Sequence, residues 1–100
     1  MARRGRGEPD EDDAPKGRQR LDKWLVYARF VKTRTLASET VASGRIRLNG
    51  ARVTKADREI GAGDVLTLAL PHATLVVRVL ETAERRGPSS EARGLYEEIG

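Results

Sequence analysis

The stretch Arg45-Ile46-Arg47-Leu48-Asn49-Gly50-Ala51-Arg52-Val53 alternates polar and apolar residues before an Asn-Gly pair and resumes with Ala-Arg-Val after it. Strict alternation puts successive side chains on opposite faces of a strand, and Asn-Gly suits a two-residue type I′ turn, which needs positive φ at both positions. The pairing follows: Leu48 opposite Ala51, Arg47 opposite Arg52, Ile46 opposite Val53. Ile46, Leu48 and Val53 then face a core. Arg47 and Arg52 stand side by side on the open face, with Arg45 two residues along. Like charges directly opposite on a sheet repel by about a few tenths of a kcal/mol. A polyanion would turn that repulsion into attraction; the alternative is that the arginines splay into solvent, where salt screens them.

Upstream of this hairpin the period changes to that of a helix. Leu21, Trp24, Leu25, Ala28 and Val31 recur at three- and four-residue spacing on one face. Lys23 and Tyr27 share another face, and Val26 and Phe30 a neighbouring one, so the apolar girdle is broad; the helix is expected to end near Phe30 or Val31. Thr33 is placed to cap a second helix, with Leu36, Ala37, Thr40 and Val41 as its buried stripe and Arg34 and Ser38 on a more polar face. Gly44 is the left-handed stop residue. Lys23, Arg29, Lys32 and Arg34 gather at the junction of the two helices beside Thr33, and Arg20 lies one turn before Lys23. The amides opening the second helix add a partial positive charge that favours phosphate. A merely solvated turn is the competing reading.

Downstream, Gly61-Ala62-Gly63-Asp64 turns the chain into Val65–Leu70, Pro71-His72 interrupts, and Leu75–Leu80 completes a second hairpin. After a loop at Gly87-Pro88, Ser89 or Ser90 is placed to cap a short helix through Leu95, Tyr96 and Ile99, weakened by Gly94. Residues 1–18 hold three glycines, two prolines and an acidic cluster but almost no large apolar side chain. They are expected to be a disordered tail, and Asp12 and Asp13 belong to it rather than to a metal site.

Charge divides unevenly along the chain. Residues 21–58 carry nine basic side chains (Lys23, Arg29, Lys32, Arg34, Arg45, Arg47, Arg52, Lys55, Arg58) against three acidic ones, whereas residues 59–100 carry four against seven. The positive charge therefore sits in the middle of the chain, which points to a polyanionic partner. The 100 residues suffice for one domain at most. No apolar run is long enough to span a membrane, the basic start lacks the apolar stretch of a secretory signal, and there is no cysteine. A cytoplasmic location is expected, with no membrane partner. Catalysis is not expected: His72 is the one histidine and sits in a turn, no nucleophile–base pair or metal-ligand spacing occurs, and the glycines at 61 and 63 precede a strand rather than a helix. No cofactor or metal is expected.

In order, Arg20-Leu-Asp-Lys-Trp-Leu25, Ala28-Arg-Phe-Val-Lys-Thr-Arg34, Ala37, Gly44-Arg-Ile-Arg-Leu-Asn-Gly50 and Gly63-Asp-Val-Leu66 resemble the S4 RNA-binding domain, the αL motif. Leu21-Asp-Lys-Trp-Leu25 with Lys32-Thr-Arg34, and later Arg85-Arg-Gly-Pro-Ser-Ser-Glu-Ala92 with Leu95-Tyr-Glu-Glu98, are similar to the bacterial heat shock protein 15 family. The resemblance implies an α+β fold, a helix pair packed on a small, mostly antiparallel sheet, with the S4 domain at residues 19–82 and an extension at 83–100. It also implies a non-enzymatic factor that binds ribosomal RNA of the large subunit and returns stalled subunits, still holding a nascent chain on tRNA, to use. The RNA contacts it implies are Arg20, Lys23, Arg29, Lys32, Thr33, Arg34, Ser38, Arg47, Asn49 and Arg52, to which the charge pattern adds Arg45 and Lys55. Binding of tRNA or another structured RNA, non-specific nucleic-acid binding, and docking on an acidic protein partner are the alternatives; a monomer is expected. The chain departs from the family at Val26-Tyr27, where a second tryptophan is usual, which leaves Tyr27 for stacking or packing. The basic C-terminal extension of relatives is not seen before Gly100, so its contribution to RNA contact is not expected here.

Overall fold

The computed structural model describes residues 17–85 and 87–100. The Arg45–Val53 segment forms the expected hairpin: β2 (Ile46–Leu48) and β3 (Ala51–Val53) pair with Ile46 opposite Val53, Arg47 opposite Arg52 and Leu48 opposite Ala51. Asn49 and Gly50 both take positive φ, 52° and 89°, which twists the two-residue turn in the sense of the flanking strands. A second hairpin, β5 (Val65–Leu70) and β6 (Ala73–Val79), pairs through β5 with β2. With β7 (Tyr96–Glu98) on β6, the main sheet runs β3-β2-β5-β6-β7 and is antiparallel throughout.

One face of this sheet is dry. Ile46, Leu48, Val53, Leu66, Leu68, Val77 and Val79 are buried in one cluster with Leu21, Trp24, Leu25, Ala37 and Val41 from the two helices. Side chains alternate along a strand, so Arg47, Arg52, Thr67 and Val76, paired in one row across the sheet, point the other way.

The first helix, α1 (Leu21–Tyr27), is shorter than its periodicity suggested. It does not reach Phe30 or Val31, because Arg29 adopts φ 67° and turns the chain out of the helical path. A helix of this length is not stable alone; its apolar residues Leu21, Trp24, Leu25 and Val26 are all buried against the sheet. The second, α2 (Arg34–Ala42), is capped as expected: the Thr33 hydroxyl accepts from the Leu36 amide at 3.1 Å. Ala37 and Val41 are buried, but Leu36 is 45% exposed and leaves the stripe expected of it. Only the Ala37–Val41 line of this helix faces α1 and the sheet closely enough to be buried. Gly44 ends the segment at φ 81°, as expected.

Two short strands were not expected. β1 (Arg18–Arg20) pairs antiparallel with β4 (Glu59–Gly61), and the Leu21 and Asp22 amides extend the contact to the carbonyls of Arg58 and Ala56. The approach is close: a Cβ on Gly61 would lie 2.8 Å from the Gly17 carbonyl oxygen. The expected disordered tail is thereby corrected at its inner end, since Gly17 forms a turn and Arg18 is in a strand; residues 1–16 lie outside the described residues.

The C-terminal helix is also corrected. α3 (Ser89–Arg93) follows Pro88, with no side-chain cap from either serine, and the chain then turns into β7 rather than continuing through Ile99. The reason is tertiary. Leu95 is buried, its carbonyl accepts from the Leu80 and Glu81 amides, and the Tyr96 ring packs tilted against Phe30, centroids 4.6 Å apart, and edge-to-face against Trp24 at 6.5 Å. Glu81, Ala83 and Gly87 are tied back to β1, α1 and the turn after α1: the Gln19 amide both donates to and accepts from the Ala83 backbone, the Trp24 indole donates to the Glu81 carbonyl at 2.9 Å, and Arg29 reaches Gly87.

Candidate nucleic-acid interface

The expected basic residues fall into two groups on different sides of the main sheet. At the helix junction, Lys32 and Thr33 are exposed in the turn before α2, and Arg34 opens the helix. The Thr33 hydroxyl is committed to its cap. Ser38 lies one turn on from Arg34 and is half-buried, as is Lys23 on α1. Arg20 and Arg34 converge on Asp22, whose side chain is 1% exposed. Arg20 gives it two hydrogen bonds, from Nε at 3.1 Å and Nη2 at 2.9 Å, while Arg34 Nη2 stands at 3.4 Å.

Asp22 was not picked out from the sequence. A carboxylate flanked by Arg20 and Lys23 in the first turn of a helix was the available signal. The first turn explains part of it by the helix dipole, but only the fold brings Arg34 alongside.

Arg29 is placed differently from its neighbours. It is exposed, yet its guanidinium donates from Nε and Nη2 to the Gly87 carbonyl at 3.2 and 3.0 Å. Those donors hold the C-terminal segment against the helix turn instead of lying open at the junction.

The second group is on the hairpin. Arg45, Arg47 and Arg52 are exposed, Arg47 and Arg52 directly opposite one another, with Arg47 Nη1 3.4 Å from the Gly50 carbonyl. Arg52 lies along the end of α2, so that a Cβ on Gly44 would sit 3.3 Å from its Cδ. Arg52 thus sets its guanidinium beside the turn that leads out of α2. Lys55 and Arg58 are exposed in the loop from β3 to β4.

Asn49 is held by the fold. Its Nδ2 donates to Asp64 Oδ1 at 3.2 Å and its Oδ1 accepts from the Val65 amide at 2.9 Å, while Asp64 Oδ2 accepts from the Gly61 amide.

Exposed guanidinium and ammonium groups at the helix junction and along the hairpin suit a phosphate backbone, which offers a line of singly charged oxygens and rewards each neutralised phosphate by counterion release. Among the described residues no cluster of three or more histidine, cysteine, aspartate or glutamate side chains is arranged to hold a metal ion, and no helix is long and apolar enough to cross a membrane.

Comparison with known proteins gives the family. The S4 domain model matches residues 19–66. Heat shock protein 15 of Escherichia coli K12 is 44% identical over 79 residues, which cover 79% of this chain and 59% of that protein. The RQC P-site tRNA stabilizing factor of Streptococcus pneumoniae R6 is 35% identical over 80 residues, covering 80% of this chain and 89% of that one. The chain belongs to the S4-domain family that these proteins represent. A solved member, the trimeric heat shock protein 15 of Vibrio cholerae, superposes with a TM-score of 0.77 at 36% identity, covering 82% of each chain. The family's α+β fold is therefore the fold of this chain, helix pair and antiparallel sheet included. The chain spans only 59% of the length of the Escherichia coli relative, so what lies in the remainder of that protein has no counterpart in the match.

Proposed function

We propose that this chain binds ribosomal RNA of the large ribosomal subunit and acts in the rescue of stalled subunits that still hold a nascent chain on tRNA. The observation that carries the reading is the two-part basic surface on an S4 fold: Lys32 and Arg34 at the helix junction, Arg45, Arg47 and Arg52 at the hairpin. The names of the relatives supply the setting, since one group is named for stabilising P-site tRNA. The factor works by binding, without catalysis or a cofactor, in the cytoplasm where its partner is found. Structured RNA hides its major-groove base edges, so phosphate contacts and shape are what such a surface reads.

A second reading is favoured by the same relatives' name: the chain touches tRNA as well as ribosomal RNA. Sedimentation of bacterial lysate through a sucrose gradient tests both. Co-migration with free large subunits, lost on nuclease treatment, supports the ribosomal reading. Migration with tRNA alone supports the second. Partners that survive nuclease would mean that the basic face docks on an acidic protein. The protein is proposed to act as a monomer, and the trimeric Vibrio relative makes equilibrium sedimentation of the free chain the direct check.

A further inference from the structure

Buried carboxylates are uncommon because losing water is costly unless the charge is paired and hydrogen-bonded. Asp22 is 1% exposed and meets that requirement with groups from two helices. Arg20 takes it in a forked pair of hydrogen bonds, the Lys23 amide donates at 2.8 Å, and Arg34 reaches it from the start of α2, 12 residues later in the chain. Arg34 is held through one nitrogen, at 3.4 Å, with its side chain 49% exposed. Among the described residues that is the one polar contact its guanidinium makes.

We propose that Asp22 is the positioning residue of the RNA face. It fixes Arg34 beside Arg20 so that the exposed guanidinium is already aimed when a phosphate arrives. This rests on the RNA-binding reading above. Asp22 itself, buried and negative, touches no phosphate. An arginine held in place loses less side-chain freedom on binding than one that must be ordered at that moment. Because only one nitrogen is engaged, most of the Arg34 donors remain for a bidentate grip on phosphate oxygens.

The inference has a sign that distinguishes it from plain electrostatics. Removing a negative charge beside a phosphate-binding surface raises the local positive potential and, by charge alone, tightens RNA binding. Removing a positioning residue loosens it. Asp22→Asn keeps the shape and an acceptor oxygen while removing the charge, so the direction of its effect decides between the two.

The experiment measures binding of wild type, D22N, R34A, R47A and the D22N/R34A and D22N/R47A double variants to purified bacterial large ribosomal subunits, with circular dichroism confirming the fold of each. D22N is expected to bind about tenfold more weakly, the order of one well-placed charge-assisted contact. It should have no further effect in the R34A background, yet add its full effect to R47A. Binding of D22N equal to or tighter than wild type, or a loss that adds fully to that of R34A, overturns the inference. If D22N does not fold, nitrogen-15 spectra of the wild-type guanidinium groups decide: two resolved Nη signals for Arg34 show the hindered rotation expected, and one averaged signal overturns the inference. Wild type that binds no subunit overturns the RNA reading itself, and this inference with it.

Discussion

The Asn49 side chain ties the first hairpin turn to Asp64, donating from Nδ2 to Oδ1 at 3.2 Å, and so joins two turns that are 15 residues apart. Its carbonyl oxygen takes the Val65 amide. Asn49 also sits at φ 52°, a conformation asparagine tolerates and alanine does not.

Two substitutions separate these roles. Asn49→Gly removes both side-chain hydrogen bonds but suits the backbone; Asn49→Ala removes them and adds strain. Each net hydrogen bond contributes about 1 kcal/mol, and a left-handed alanine costs roughly 1 kcal/mol more. Thermal melts are therefore expected to rank wild type above N49G and N49G above N49A, with about 4–8 °C for each kcal/mol in a domain of this size. Because the amide is engaged within the fold, RNA affinity of folded N49G should stay within about threefold of wild type, a change under roughly 0.7 kcal/mol. A loss as large as that of an arginine variant would make Asn49 a direct RNA contact.

Arg47 and Arg52 give the opposite pairing of stability and binding. They face each other across the hairpin, so Arg47→Glu replaces a like-charge pair by an opposite-charge one, worth roughly 0.2–1 kcal/mol in favour of the fold. The same change puts a negative charge where a phosphate is proposed to bind. R47E is expected to melt at or above the wild-type temperature while its affinity for large subunits falls at least about tenfold, roughly 1.4 kcal/mol. Undiminished cosedimentation of R47E with the subunit would take the hairpin face out of the interface.

Much of this was legible because it was local. The Asn49-Gly50 turn fixed the register and hence which arginines face out, and Thr33 and Gly44 marked the limits of the second helix. What escaped was set by distant partners. Arg18–Arg20 has no apolar alternation and becomes a strand only because Glu59–Gly61 lies beside it. Tyr96–Glu98 reads as the tail of a helix until β6 offers an edge and the Trp24–Phe30 cluster receives Tyr96. The same holds for the site: charge identified the basic residues, but not that Asp22 gathers two of them or that Arg29 turns toward Gly87.

Arg29 supports a prediction that runs against its charge. Its guanidinium is engaged by the Gly87 carbonyl through two nitrogens, and its φ of 67° is strained for a side-chain-bearing residue. Arg29→Ala loses the anchor and keeps the strain; Arg29→Gly loses the anchor and relieves it. R29G is expected to be the more stable variant by about 1 kcal/mol in urea unfolding. Hydrogen exchange should show faster opening of residues 87–93 in both. Their affinity for RNA should fall less than that of Arg34→Ala, and an equal fall would return Arg29 to the list of phosphate contacts.

Salt dependence tests the surface as a whole. Each phosphate neutralised on structured RNA contributes roughly 0.7–0.9 to the slope of log affinity against log salt. If the exposed groups Lys32, Arg34, Arg45, Arg47, Arg52 and Lys55 all contact phosphates, the slope should be about −4 to −5. That corresponds to roughly a several-hundred-fold loss between about 50 and 200 mM salt. Arg47→Ala should reduce the magnitude of the slope by about one phosphate's share, since a backbone contact removed is a counterion no longer released. Arg29→Ala should leave the slope unchanged, because its charge is turned toward Gly87 and not toward the ligand. A flat response for the wild type would mean that apolar or stacking contacts dominate. The exposed Leu36 on α2 would then be the first side chain to examine.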